Sequence, residues 1–262
     1  MQAARTPDAL TVQARVIGAL ILREINTRFG EFRAGYLWAV VEPAVHVLSF
    51  AFLIAFFAHV APLGTSLEVF VATAVIPFFF WRDILTRVEQ AQRANRALLY
   101  FPIVKVMDAV FARVILEIAT WLIIACFALA LLGLSGFDAL PADPLGCIGV
   151  MLVIGWSGAG FGMINLAIGV FTGAWERVLH VIIRPIYLFS GVAFLPSAMP
   201  DGLRDVIWFL PTAHLIDWLR ECFFDGYHSS FLSKEYVVIM GVVCWAAGLF
   251  LERLLRARNE ME

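Results

Sequence analysis

Lysine is nearly missing from this chain: Lys105 and Lys234 are the only two in 262 residues. Neither stands in a GxxxxGK[ST] loop, the turn whose backbone amides and lysine cradle nucleotide phosphates, so this polypeptide has no P-loop of its own. Charge is scarce as well, at 15% of residues with a net of −2. Such a balance offers no global field for nucleic acid and too little charge to cover a soluble domain of this length. The four cysteines, Cys126, Cys147, Cys222 and Cys244, are isolated, with no CxxC and no Cys/His cluster. They read as small packing residues, not as disulfide partners or metal ligands. No HExxH occurs, and His46, His59, His180, His214 and His228 are scattered. Residues 10–22 are broken by Gln13 and Arg15 and have no small-residue cleavage site, so no removable signal peptide is expected.

What is abundant is apolar surface. The chain is 61% hydrophobic, with 23 Phe and 8 Trp, and several of its runs exceed the ten to fourteen residues of a buried core helix. An all-α membrane protein follows, one polytopic domain with six transmembrane helices at 35–60, about 67–85, 106–134, 145–171, 180–195 and 236–251. Residues 1–34 carry Arg5, Arg15, Arg23, Arg28 and Arg33 around the apolar run 16–22, which reads as a cytoplasmic leader and interface helix along the inner membrane surface. Residues 35–262 form the six-span transmembrane domain. Its longest loop, about 196–233, is divided by Pro196, Pro200 and Pro211 and reads as two short outer helices, at 203–210 and 214–224, lying at or dipping into the outer interface. Of 19 basic residues, only Arg204, Arg220 and Lys234 fall on the expected outer side. That positive-inside bias puts both termini in the cytoplasm.

Polar residues inside the apolar runs are the candidate functional ones. In the first span Trp38, Glu42 and His46 follow four-residue steps, with Ser49 three further on, a narrow polar stripe on an otherwise apolar helix. A carboxylate at membrane depth costs about 2.5 to 3.5 kcal/mol even on the permissive insertion scale, so Glu42 is expected to face the bundle interior, a partner chain or water. Trp81 with Arg82, and Arg184 with Tyr187, repeat the pairing of an aromatic with a polar charge. Aromatic faces stack on sugar rings while arginines bind carboxylates and phosphates; snorkelling of both arginines to the interface is the alternative. The inward loop 87–105, helical at 87–96, presents the apolar knot Leu98-Leu99-Tyr100-Phe101-Pro102 between charges, a surface for another protein. Arg113 and Glu117 are one turn apart and can pair. Gly158 and Gly162 permit close helix approach. Asp201 with Asp205, and Asp217 with Glu221, read as wet helical faces.

The run Arg28-Phe29-Gly30-Glu31-Phe32-Arg33-Ala34-Gly35-Tyr36-Leu37-Trp38-Ala39-Val40-Val41-Glu42-Pro43 resembles the start of the first span in polysaccharide-export permeases of the type-two ABC transporter class, the KpsM and Wzm capsule-exporter group. The resemblance covers nearly the whole chain and departs at Leu210-Pro211, where that family often has Asn-Pro. It implies a transport permease that is not itself an enzyme, in the bacterial inner membrane, with no cofactor in this chain; ATP and magnesium belong to a partner ATPase. Two copies of the subunit would work with two copies of the ATPase, docked through a loop helix near Asn95 to Phe101 (Asn95, Leu98, Leu99, Tyr100, Phe101). The cargo implied is a lipid-linked capsular or O-antigen-like polysaccharide, with membrane lipid around it, no nucleic acid, and a periplasmic export partner left open. The substrate path would be lined by Trp38, Glu42, His46, Trp81, Arg82, Arg184 and Tyr187. An ABC exporter of a lipid or small drug is the nearer alternative, and a membrane enzyme or channel outside the ABC class the more distant one.

Overall fold

The computed structural model describes residues 9–29, 35–57 and 61–259, with side chains at 10–27, 41–42, 44–53 and 61–255. Every regular element among the described residues is helical: α1 (Ala9–Phe29), α2 (Gly35–Phe57), α3 (Leu67–Glu89), α4 (Ala91–Ala94), α5 (Val106–Leu134), α6 (Pro144–Phe171), α7 (Trp175–Phe189), a 3₁₀ turn (Pro196–Ala198), α8 (Asp201–Ile207), α9 (Pro211–Phe223) and α10 (Lys234–Asn259). Among them α3, α5, α6 and α10 are long and apolar enough to cross a bilayer. α2 has 23 residues and keeps an apolar stretch at Ala44–Leu53.

α3 is the axis of the bundle. It is buried almost all round, from Val69 to Trp81 and again at Ile84, Leu85 and Val88, and it packs on α2, α5, α6 and α9. The glycines of α6 explain how closely α3 can lie: a Cβ at Gly162 would come 2.8 Å from the Leu85 carbonyl and 2.6 Å from Val88, and one at Gly158 3.0 Å from the Trp81 carbonyl. The opposite side of α6 meets α10, where a Cβ at Gly241 would strike the Trp156 ring and the Trp245 indole N–H donates to the Trp156 carbonyl at 2.9 Å. Backbone approach of this kind is how membrane helices gain packing where no hydrophobic drive exists between them. Helix ends are set locally: Asp143 caps α6 by accepting from the Gly146 amide at 2.9 Å, with Pro144 at the first position. Asp108 accepts from the Lys105 amide at 2.8 Å to open α5. Large side chains on the outward faces of α5 and α10, such as Ile123, Phe127, Leu131, Ile239, Val242 and Phe250, are exposed, as a lipid-facing surface requires.

Three expectations are corrected. The fifth apolar run is a helix from Trp175 to Phe189, not 180–195; it stops at Ser190, where Gly191 takes φ +83°, a left-handed conformation open to glycine. Its 15 residues span about 22 Å at 1.5 Å per residue. The loop helix expected near Asn95 to Phe101 is a run of turns instead. The Asn95 carbonyl accepts from the Leu98 and Leu99 amides, and the Leu98 and Phe101 carbonyls accept from Phe101 and Val104. Pro102 has no N–H to donate and disfavours helical geometry at Phe101. Finally, Asp217 does not belong to a wet face: α9 is inserted against α3 and α6, and His214, Asp217 and Arg220 are fully buried. Asp201 and Asp205 are exposed as expected.

Candidate functional site

Arg82 leaves α3 on the side facing α2 and α7. It donates to Glu42 of α2 at 3.2 Å and to its neighbour Asp83 at 2.7 Å, and its guanidinium lies 4.1 Å above the Phe79 ring. His46, one turn beyond Glu42, has Nδ1 3.2 Å from the Glu42 carbonyl and its ring edge-on to Phe79, centroids 4.7 Å apart. From α7, Tyr187 packs against Phe78, Phe79 and Phe50, and its hydroxyl is buried without a hydrogen-bond partner. Between them opens a cavity of about 400 Å³ lined by His46, Phe78, Phe79, Arg82, His180, Arg184 and Tyr187.

Five expected path residues, Glu42, His46, Arg82, Arg184 and Tyr187, therefore converge. Trp81 does not join them: it turns into α6, 5.6 Å from Phe161, and is 4% exposed. The Trp38 side chain lies outside the described residues. Sequence reasoning missed His180, although its signal was present: His180, Arg184 and Tyr187 step by four and three along α7, one face of a helix. The cavity is cationic and aromatic at once. Glu42 is 43% and Arg82 25% exposed, and ion pairs that water reaches contribute about 0–1 kcal/mol. An anionic group entering the cavity can therefore replace Glu42 at the guanidinium without a large penalty.

A second polar cluster sits at the far end of the bundle, around α9. Arg220 lies 4.0 Å over the Phe70 ring of α3 and donates to the Phe194 carbonyl at 3.3 Å, while Nε and Nη2 have no hydrogen-bond partner among the described residues. Burial lowers its pKa to about 10, against the opposing pull of Asp217 and Tyr227. The Tyr227 hydroxyl donates to Asp217 at 2.8 Å, and burial together with that carboxylate pushes the phenol up to about 12. His214 is held at both nitrogens, Nε2 2.8 Å from the Trp208 carbonyl and Nδ1 accepting from the Ser233 amide at 3.3 Å.

At the α1 end, hydrogen bonds tie the loop after α3 to its surroundings. Arg23 of α1 donates to Asn95 Oδ1 at 2.6 Å, and Asn95 donates to the Ala91 carbonyl at 2.9 Å. Gln90 donates to Glu176 of α7 at 2.8 Å, and Arg93 bridges Glu89 and Glu176. Glu24 of α1 pairs with Arg113 of α5 at 3.2 Å, Arg113 donates to the Arg87 carbonyl at 2.6 Å, and Arg87 pairs with Glu117 at 3.6 Å. Gln13 donates to Asp108. Held in this frame, Tyr100 is 78%, Phe101 58% and Ile103 55% exposed, while Leu98 and Leu99 are half-buried and Asn95 is buried.

Residues 15–224 match the ABC-2 type transporter family. The chain is 30% identical over 247 residues to the polysialic acid transport protein KpsM of Escherichia coli, covering 92% of this chain and 94% of that one. It is 28% identical over 242 residues to the capsule polysaccharide export inner-membrane protein CtrC of Neisseria meningitidis serogroup A, covering 92% and 91%. To the corresponding protein BexB of Haemophilus influenzae it is 28% identical over 246 residues, again 92% and 91%.

Proposed function

The chain belongs to the ABC-2 type transporter family, and from that premise we propose that it is the transmembrane subunit of an ATP-driven exporter carrying a lipid-linked capsular or O-antigen-like polysaccharide out of the cytoplasm across the inner membrane. Similarity to capsule and polysialic acid export proteins over 92% of its length carries this reading. The cavity between α2, α3 and α7 supports it, because two arginines beside aromatic rings suit a polymer of sugars and anionic groups.

In this reading six segments cross the bilayer, α2 and α7 being the first and fifth, with both termini and the α1 end in the cytoplasm. Residues 1–34 form the interface leader and 35–262 the permease. Two copies pair, and each takes one ATPase subunit, which binds the ATP and magnesium. Tyr100 and Phe101 dock on that ATPase, backed by Leu98 and Leu99 and braced by Asn95; Ile103 extends the same surface. Closure of the ATPase pair moves the loop, the loop moves α1 and α7 through the hydrogen bonds that hold it, and α1 carries α5 through the Glu24–Arg113 pair. Glu42, His46, Arg82, Arg184 and Tyr187 line the cargo's path, with Trp38 extending the stripe, while α8 and α9 gate the outer end.

The test has three arms. The chain should copurify with an ATPase whose turnover it stimulates, and its deletion should leave polysaccharide inside the cell. Arg82→Ala and Arg184→Ala should each cut export at least about tenfold, the effect of losing roughly 1.4 kcal/mol of binding, with normal protein accumulation; unchanged export removes the path assignment. Reporters fused at Gly64, Ser135 and Ser229 should all read the outer side.

A further inference from the structure

Away from the α1 end, two cavities meet at Glu68 and Phe137. The first, about 310 Å³, is an apolar crevice between α2, α3 and α5, walled by Val47, Ala72, Ile76, Ile124 and Phe127, with Glu68 and Ser135 as its polar contributions. From Ile76 to Glu68 it follows eight residues of α3, about 12 Å of helix. Leu48, Phe127 and Leu131 on its rim are exposed, so it opens sideways to the bilayer. The second cavity, about 490 Å³, is a cup made by residues 61, 64–68 and 136–138. Among the described residues it carries the carboxylates of Glu68 and Asp138 and no basic side chain, and the buried Ser66 hydroxyl in its wall has no hydrogen-bond partner among them.

We propose that crevice and cup together bind one bilayer phospholipid with a primary-amine headgroup, an acyl chain in the crevice and the ammonium between Glu68 and Asp138. An acyl chain gains little by leaving bulk lipid for an apolar slot, so the headgroup decides which lipid stays. A primary ammonium satisfies two carboxylates by charge and by N–H donation. A quaternary ammonium supplies the charge without the donors. An anionic headgroup is repelled, as is any cargo end bearing uncompensated phosphate, which makes the crevice a place for resident lipid and not for cargo. The inference rests on residence in the membrane and is independent of the polysaccharide reading. Such a lipid holds the outer half of α2, the helix that carries Glu42 and His46, against α3 and α5.

Delipidated full-length protein in detergent is titrated with phosphatidylethanolamine, phosphatidylcholine or phosphatidylglycerol of matched chains and followed by native mass spectrometry and thermal unfolding. One phosphatidylethanolamine should be retained about tenfold more tightly than phosphatidylglycerol, with phosphatidylcholine between them and thermal shifts in the same order. Glu68→Gln with Asp138→Asn should bind all three alike while unfolding as the wild type does without lipid. If the double variant folds poorly, Asp138→Asn alone, at an exposed loop position, should still reduce the preference. Ala128→Trp, which fills the crevice from α5, should lose the retained lipid. Equal or tighter retention of phosphatidylglycerol by the wild type, an unchanged preference in the carboxylate variants, or a lipid retained by Ala128→Trp would overturn the proposal.

Discussion

A neutral imidazole is built into α9. His214 can use both nitrogens only as the Nε2–H form, donating to Trp208 and accepting from Ser233, and burial lowers its pKa against the weaker pull of the Trp208 carbonyl and Asp217. The unfolded chain therefore takes up a proton near pH 6.5 that the folded one refuses, so stability is complete above that pH and falls as the pH drops toward the folded pKa. The expected slope is up to about 1.4 kcal/mol per pH unit. Thermal unfolding between pH 5 and 8 should show this acid loss in the wild type and a flatter profile in His214→Gln; parallel profiles would place the effect elsewhere. Trp81 and Arg82 give a second lesson at this scale. They are adjacent, yet one faces α6 and the other the cavity. Adjacency had grouped them, although the helical pattern separates them: Trp81, Ile84, Leu85 and Val88 share one face of α3, while Arg82, Asp83, Thr86 and Arg87 share another.

At the scale of elements, the glycines of α6 were legible as close packing and they pack closely. Their partners were not, since spacing alone does not say that Gly158 and Gly162 face α3 while α10 meets the other side. Gly162→Leu must drive apart two backbones that approach through the Leu85 carbonyl, and overpacking of this kind costs about 1–3 kcal/mol. Reduced accumulation and a lowered unfolding temperature should follow, with Gly173→Leu, in open space, as the silent control. α9 was legible as a helix but misjudged in burial. Charges one turn apart look alike whether they face water or, like Asp217 and Arg220, a tyrosine hydroxyl and an aromatic ring. In the loop after α4 the apolar knot was legible, but the helix expected there is a run of turns, because Pro102 disfavours helical geometry at Phe101 and Asn95 is bonded to Arg23, a residue from another helix. Replacing Tyr100 and Phe101 together by serine should abolish ATPase copurification while leaving unfolding temperature within about 2 °C, since surface substitutions stay near ±0.5 kcal/mol.

Across the whole molecule, the order of apolar runs, a helix ahead of the first of them and the break before α10 were legible from hydropathy and proline placement, whereas the wiring between them was not. Arg113 was expected to answer to Glu117; it reaches Glu24 of α1 and the Arg87 carbonyl, groups far away in sequence, and Glu117 pairs with Arg87. Arg113→Met leaves Glu24 without that partner, and breaking a buried pair costs about 3–5 kcal/mol. A loss near the lower end is expected in denaturant unfolding, because Glu24 is 16% exposed, with partial recovery in Glu24→Gln/Arg113→Met. The shortness of α7 bears directly on the proposed six-span topology. At about 22 Å this 15-residue helix is roughly 8 Å shorter than a hydrocarbon layer of about 30 Å, so as the proposed fifth span it would need irregular chain to complete the crossing, tolerated at such depth only beside water or under protein cover. On that proposal, a hydrophilic strand climbing along this helix would meet a dimple in the oily barrier, its last stretch a short step rather than a full crossing.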